Sequence, residues 1–263
     1  MPVDLARLVG DLDAETTELR RVIEPLDDLG WGRPTPAPGW RVQEQVAHLA
    51  YFDEATTTAA TDADQFQREL DEAVRDPDGI TERISRRSRT MQAADVFAWF
   101  DSARRTMIET MVSLDPSTRV PWYGPPMSVA SSLTARIMET WAHGQDVYDA
   151  LELTHPPTSA LRQVSHIGVQ TFANSFVTRG LDVPKVSVFV DLIGPDGSVW
   201  TWGDPTSDER VWGTAVDFAL VVTQRRHLDD TALQRQGGIA EQWLTIAQAF
   251  AGPSGAGRMP TAG

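Results

Sequence analysis

Four long stretches of the chain place their apolar residues at intervals of three and four, which is the spacing of one face of an α-helix. These stretches cover residues 4–29, 42–60, 94–114 and 128–151. A proline-rich stretch at 30–39 interrupts helical structure, a turn is expected at 76–79, and Ser128 is a suitable N-cap for the fourth helix. Because amphipathic helices bury their apolar faces against one another, the pattern predicts a four-helix bundle over residues 1–155.

The second part of the chain has a different pattern. Residues 185–193 alternate apolar and polar side chains, and a Gly-Pro-Asp-Gly turn leads to a return strand at 198–202, which predicts a hairpin. The remaining predicted elements are a strand at 210–212 and helices at 159–178, 214–227 and 239–250. We therefore expect a smaller α+β domain over 156–252, a flexible tail over 253–263, and an α+β fold class for the whole chain.

Composition narrows the choice of partner. The formal net charge is −14 and no basic stripe offsets it, so we expect neither nucleic acid nor an anionic membrane as a partner. The chain has no cysteine, so thiol chemistry would need a thiol from outside. We see no signal peptide and no apolar run of membrane-spanning length, and we expect a cytoplasmic protein whose partner is a small molecule.

Three side chains could bind a metal ion. Glu139 and His143 lie four residues apart in the fourth helical stretch, so both leave the same helix face. His48, in the second stretch, is the best candidate for a third ligand. Two imidazoles and one carboxylate with an open position are typical of a catalytic zinc site. The alternative is that the pair on the fourth helix is a solvated face or a satisfied core group.

Two charged residues flank the pair on the same helix face. Asp146 could orient a ligand, and Arg136 could bind an anionic group of a substrate. An ordinary intrahelical salt-bridge face is the alternative for each. Asp53, five residues after His48, is expected to be solvated or to cap a helix.

Arg225 and Arg226 follow an apolar helix in the second domain. They could stabilise the C-terminal end of that helix. Alternatively, one of them could hold a substrate carboxylate between the domains, where ligands often bind. The three remaining histidines, at 155, 166 and 227, are expected to be structural or solvent-exposed.

Two motifs carry a family resemblance. The run Pro-Ala-Pro-Gly-Trp-Arg-Val-Gln-Glu-Gln-Val-Ala-His-Leu at 36–49 and the run Met-Glu-Thr-Trp-Ala-His-Gly-Gln-Asp-Val at 138–147 resemble the metal-binding domain of the actinobacterial mycothiol-dependent maleylpyruvate isomerases, a DinB-like bundle. In that family the matching positions bind one divalent ion, commonly zinc, so the resemblance implies that His48, Glu139 and His143 are ligands. The region 185–227 resembles the second domain of the family, and it is similar to sterol-carrier-type folds.

The resemblance implies a metal-dependent mycothiol S-transferase or isomerase. Such an enzyme would use mycothiol as co-substrate for thiol transfer to, or thiol-assisted isomerisation of, a small electrophile. One alternative is a thiol-independent metal-assisted hydrolase, lyase or cyclase. Another is a protein without catalysis that binds a metal or an apolar ligand.

Overall fold

The computed structural model describes residues 4–75, 79–255 and 257–261, and it divides into two compact units, Met1–Pro156 and Pro157–Gly263. In the described part of unit 1 the helices are α1 (Leu5–Ile23), α2 (Asp28–Trp31), α3 (Val42–Thr61), α4 (Ala63–Arg75), α5 (Gly79–Arg89), α6 (Ala93–Val112) and α7 (Val129–Ala150). Two short strands, β1 (Arg119–Val120) and β2 (Met127–Ser128), pair antiparallel before α7. The turn expected at 76–79 lies largely outside the described residues.

The four longest helices, α1, α3, α6 and α7, are those that the apolar spacing predicts. Helix α1 ends earlier than expected, because Pro25 has no backbone N–H to continue the helical hydrogen bonds. At the start of α7, Ser128 is the N-cap as predicted, since its hydroxyl oxygen accepts the backbone N–H of Ser131 at 3.1 Å.

Helix α3 packs against both α6 and α7, and α1 packs against α7. Their apolar faces form a core whose largest side chains include Trp31, Leu49, Phe100 and Tyr148. Helices α3 and α7 therefore pack against each other, and the three candidate ligands lie on these two helices.

A buried carboxylate fixes the start of α3. The backbone N–H of Arg41 donates to Glu44 Oε2 at 2.9 Å, and the guanidinium groups of Arg41 and Arg89 donate to Oε1 at 2.8 and 3.1 Å. Burial disfavours the charged form of Glu44, but the bonds from the two arginines outweigh this effect and hold the pKa of the carboxyl below its ordinary value. The first turn of α3, which leads to His48, is thus held by charge-assisted hydrogen bonds.

We expect Glu44→Gln to lower the free energy of unfolding by about 1–3 kcal/mol at neutral pH, since a buried charge-assisted bond is weakened. A depressed folded-state pKa contributes stability above the unfolded-state pKa, and that stability disappears as pH falls through the folded-state value. The gap between wild type and variant should therefore narrow in acid, as measured by urea unfolding at several pH values. Glu82→Gln is the control, because Glu82 is half exposed and lies 3.6 Å from Arg89; an equal effect at both sites would contradict the prediction.

Unit 2 combines helices with one sheet. Its helices are α8 (Leu161–Gln170), α9 (Phe172–Val177), α10 (Ala215–Val222) and α11 (Gly238–Ile246), with a 3-10 turn at Leu228–Asp230. Its strands are β3 (Phe189–Ile193), β4 (Val199–Trp202), β5 (Arg210–Thr214) and β6 (Gln234–Gln236), in the order β4-β3-β5-β6. Strand β3 pairs antiparallel with β4 and parallel with β5, so the predicted hairpin and the α+β class are confirmed.

Several details of unit 2 differ from the sequence prediction. The expected helix at 159–178 is two helices, α8 and α9, that meet at Thr171. The expected strand at 185–193 begins only at Phe189. Strand β6 was not predicted, because its residues are all polar and carry no alternation.

The end of the chain has a contact that its composition did not suggest. Thr261 donates its backbone N–H and its hydroxyl to the carboxylate of Asp230. Of the expected flexible tail at 253–263, residues 256, 262 and 263 lie outside the described residues. Within the described ranges, the helices are too short or too polar to cross a membrane.

Candidate metal centre

The three candidate ligands converge between α3 and α7. Their ligand atoms all lie within 4.8 Å of one another. Glu139 Oε2 is 3.1 Å from His143 Nε2 and 3.4 Å from His48 Nε2, and the two imidazole centroids are 4.3 Å apart. Both histidines therefore direct the same ring nitrogen at one carboxylate oxygen, which is the donor set of a divalent-metal site with two imidazoles and one carboxylate.

The site is largely sheltered from solvent. The side chains of His48, Glu139 and His143 are 13%, 21% and 11% exposed. Burial disfavours ionisation of Glu139, but its contacts with the imidazole rings of His143 and His48 outweigh that effect and hold the pKa of the carboxyl well below the ordinary value. The carboxylate is thus charged at neutral pH, as a metal ligand must be.

Aromatic rings surround the two imidazoles. Trp40 stacks on His143 with ring centroids 5.7 Å apart and 14° between the planes, and it lies 5.3 Å from His48. Phe52 lies 4.6 Å from His48 on α3. Trp40 was not among the residues that the sequence placed at the site. Its position just before α3, about two helical turns from His48, was the signal that could have placed it at the site.

Trp122 and Tyr123 lie next in this aromatic group. Both rings are within 6.2 Å of Phe52, and both contact Phe66 of α4. They pack on a cluster of buried residues from α3 and α4. The aromatic side of the site is therefore continuous with the hydrophobic core, which holds the imidazole rings in place.

Gln45 is a contact of His143 that sequence reasoning missed. Its Oε1 lies 2.5 Å from His143 Nδ1, and its Nε2 donates to Thr35 Oγ1 at 2.9 Å and to Asp146 Oδ2 at 3.4 Å. The residue is one turn before His48 on α3, so the spacing Gln-x-x-His could have drawn attention to it. Asp146 reaches His143 through this amide.

Arg136 is buried and paired with a different helix. Its Nε donates to Asp53 Oδ1 at 2.9 Å, and Arg104 Nε donates to Asp53 Oδ2 at 2.6 Å. The expectation that Asp53 is solvated or capping is wrong, because its side chain is fully buried between two guanidinium groups. The intrahelical salt bridge considered for Arg136 is likewise replaced by one between α7 and α3. Arg104 also donates to Thr16 and Thr140, so the network ties four helices together.

The remaining candidates lie apart from the three ligands along the chain. In unit 2, Arg225 Nη1 donates to the carbonyl of Thr223, which caps α10, and Arg226 Nη1 donates to the carbonyl of Arg225. These contacts suit the helix-end interpretation. In unit 1, His155 is buried and stacks on Tyr148 with centroids 4.4 Å apart, so it is structural, one of the two roles expected for it.

Comparisons with known proteins identify the relatives of this chain. The model of the family "mycothiol maleylpyruvate isomerase N-terminal domain" matches residues 12–148, a range that contains all three candidate ligands. Uncharacterized proteins from two strains of Mycobacterium tuberculosis are each 40% identical over 255 residues, covering 97% of this chain and 99% of theirs. These matches extend across both units.

Two solved structures share the fold. The crystal structure of the mycothiol-dependent maleylpyruvate isomerase gives a TM-score of 0.59 at 16% identity, covering 85% of this chain and 90% of that one. A histidine-to-alanine mutant of that enzyme gives a TM-score of 0.60 at 16% identity, covering 86% and 91%. By the match over residues 12–148, the chain belongs to the mycothiol maleylpyruvate isomerase N-terminal domain family.

Proposed function

We propose that this protein is a divalent-metal-dependent enzyme that uses mycothiol for thiol transfer to, or thiol-assisted isomerisation of, a small electrophilic substrate. The observation that carries the proposal is the convergence of His48, Glu139 and His143 on one point between two helices. The thiol is inferred from the family and from the activity in the names of the structural relatives. Because the chain has no cysteine, the thiol must come from outside.

In this proposal unit 1 is the metal-binding domain, as predicted for residues 1–155. His48 and His143 provide neutral ring nitrogens and Glu139 provides a negative charge. When bound there, a divalent ion such as zinc supplies Lewis acidity, which lowers the pKa of a bound thiol or water. Trp40 and Phe52 hold the imidazole rings and exclude water from the aromatic side.

The charged candidates separate into different roles. Arg136 is paired with Asp53, so we assign it to the fold instead of to the substrate. Asp146 acts on His143 through Gln45. Arg225 and Arg226 remain the candidates for binding an anionic group of the substrate. No contact with nucleic acid or membrane is proposed, and a cytoplasmic location stays a prediction.

Purified protein incubated with mycothiol and a panel of small electrophiles, including activated double bonds, is expected to consume thiol or to isomerise the electrophile. The activity should disappear with a metal chelator and return with added zinc, because the three ligands would hold the ion that activates the thiol. The measurement is free thiol and product over time. Absence of any metal-dependent turnover across the panel would count against the proposal.

The same donor set also suits the thiol-independent alternative, in which water or the substrate itself takes the open position of a hydrolase, lyase or cyclase. A parallel assay in thiol-free buffer separates the two proposals. Equal metal-dependent turnover with and without mycothiol would favour the alternative, whereas turnover that requires the thiol would favour the leading proposal.

One feature of unit 2 favours a second, non-catalytic role. Ile193, Val199 and Trp212 share one face of the sheet and are 54%, 63% and 40% exposed. An exposed apolar patch suits an apolar ligand, and the likeness of this unit to sterol-carrier-type folds stays a prediction. Native mass spectrometry of the purified protein is the test: a retained lipid would support this role, and a lipid-free protein would oppose it.

A further inference from the structure

A chain of hydrogen bonds leads from the proline-rich loop to His143. The hydroxyl of Thr35 donates to the carbonyl of Trp40 at 3.0 Å. Because a hydroxyl carries a single proton, Thr35 Oγ1 can then only accept from Gln45, whose Nε2 lies 2.9 Å away. The amide nitrogen of Gln45 therefore faces Thr35.

Asp146 imposes the same orientation on Gln45. Its carboxylate, which is buried, lies 3.4 Å from Gln45 Nε2 and can only accept a hydrogen bond. Turning the amide by 180° would place its oxygen against the Asp146 carboxylate, and the Thr35 hydroxyl could donate to that oxygen only by giving up its bond to the Trp40 carbonyl. Two independent contacts thus direct Gln45 Oε1 at His143, so the orientation follows from the bonding pattern.

The oriented amide determines which nitrogen of His143 carries a proton. Gln45 Oε1 is an acceptor and lies 2.5 Å from His143 Nδ1, whereas Glu139 Oε2 lies 3.1 Å from Nε2, so the shorter contact places the single proton of a neutral ring on Nδ1. In the neutral ring the lone pair is then on Nε2, the nitrogen that faces Glu139 and His48. This is the tautomer that can bind a metal ion at the candidate centre.

We propose that Gln45 is the positioning residue of this centre: the bond chain Trp40–Thr35–Gln45, with Asp146, selects the Nδ1-protonated tautomer of His143 and so prepares Nε2 as a ligand. The inference rests on the proposed metal site and deepens it. Partners of this kind orient the imidazole and commonly change metal affinity when they are removed. Without Gln45, Nε2–H of His143 would donate to Glu139 at 3.1 Å, and that proton would compete with the metal.

Two readouts test the role of Gln45. Zinc affinity, measured by competition with a chromophoric chelator, is expected to fall by about 10- to 100-fold in Gln45→Leu. Nitrogen-15 NMR of the histidine rings in zinc-free protein at alkaline pH should show the His143 proton on Nδ1 in wild type and on Nε2 in the variant. Gln43→Leu is the matched control, because Gln43 is also a buried glutamine of α3 but donates to the carbonyls of Ser88 and Met91.

The outcomes separate this inference from the proposed function. If wild-type protein binds no zinc, the metal proposal fails, yet the ring protonation still tests the role of Gln45. If wild type binds zinc and Gln45→Leu binds it equally well, the positioning role is overturned while the metal site stands. A wild-type His143 protonated on Nε2 alone overturns it too, and that measurement decides the matter even if the variant does not fold.

Discussion

Zinc affinity is expected to fall by about a hundredfold or more when His48 or His143 is replaced by alanine. If a zinc site has a binding free energy of about 10 kcal/mol and three ligands share it, each contributes about 3 kcal/mol, which is roughly a hundredfold in affinity. The loss should exceed that of Gln45→Leu, since a ligand is removed instead of its orienting partner. Metal content of the protein as purified, together with chelator competition, measures the effect.

The control for the histidine variants is His227→Ala. His227 lies in unit 2, is about one-third exposed and contacts Asp229, so its loss should leave zinc affinity unchanged. Circular dichroism must show that each variant keeps its helices. Retention of full zinc affinity by both His48→Ala and His143→Ala would refute the assignment of the ligands, whatever the assays with mycothiol show.

Asp53→Ala is expected to lower the free energy of unfolding by about 3–5 kcal/mol, because breaking a buried ion pair leaves uncompensated charge in the core. Here two guanidinium groups, of Arg104 and Arg136, lose their common carboxylate, and both are almost completely buried. Burial also lowers the pKa of Arg104. The difference in the free energy of unfolding is measured by denaturant titration at neutral pH, with circular dichroism as the signal.

Asp101→Ala is a matched control. Asp101 also pairs with two arginines, Arg20 and Arg105, each at 2.6 Å, but these guanidinium groups are 41% and 63% exposed. An exposed pair contributes about 0–1 kcal/mol, so the control should change stability little. If Asp53→Ala and Asp101→Ala lowered the free energy of unfolding by similar amounts, burial would not determine how much Asp53 contributes to stability.

Local sequence pattern predicted the four longest helices, because an amphipathic stripe depends on neighbours three and four residues away. It also placed Glu139 and His143 on one face, since both lie on the same helix. It could not pair Arg136 with Asp53 or Gln45 with His143, because those contacts depend on how far α7 is shifted and rotated along α3. For the same reason, local pattern alone could not show that His48 faces Glu139. That expectation came from the family resemblance and the predicted bundle.

The buried position of Asp53 illustrates a second limit. A charged residue in an amphipathic helix is usually solvated. Asp53 can be buried because two arginines from other helices pair with its carboxylate and offset the cost of removing the charge from water. Nothing within four residues of Asp53 indicates those partners. Strand β6 was missed for a related reason, since its three polar residues belong to the sheet through pairing with β5 alone.

Because the three candidate ligands lie on two separate helices, binding of a metal ion at the site should raise the thermal stability of the protein. A ligand that binds only the folded chain stabilises it by mass action, by about 2.7 kcal/mol at one hundred times its dissociation constant. Since His48 approaches Glu139 and His143 only when α3 and α7 are packed together, unfolding would release the ion. Melting temperature could therefore rank zinc, manganese, nickel and cobalt as occupants before any substrate is known.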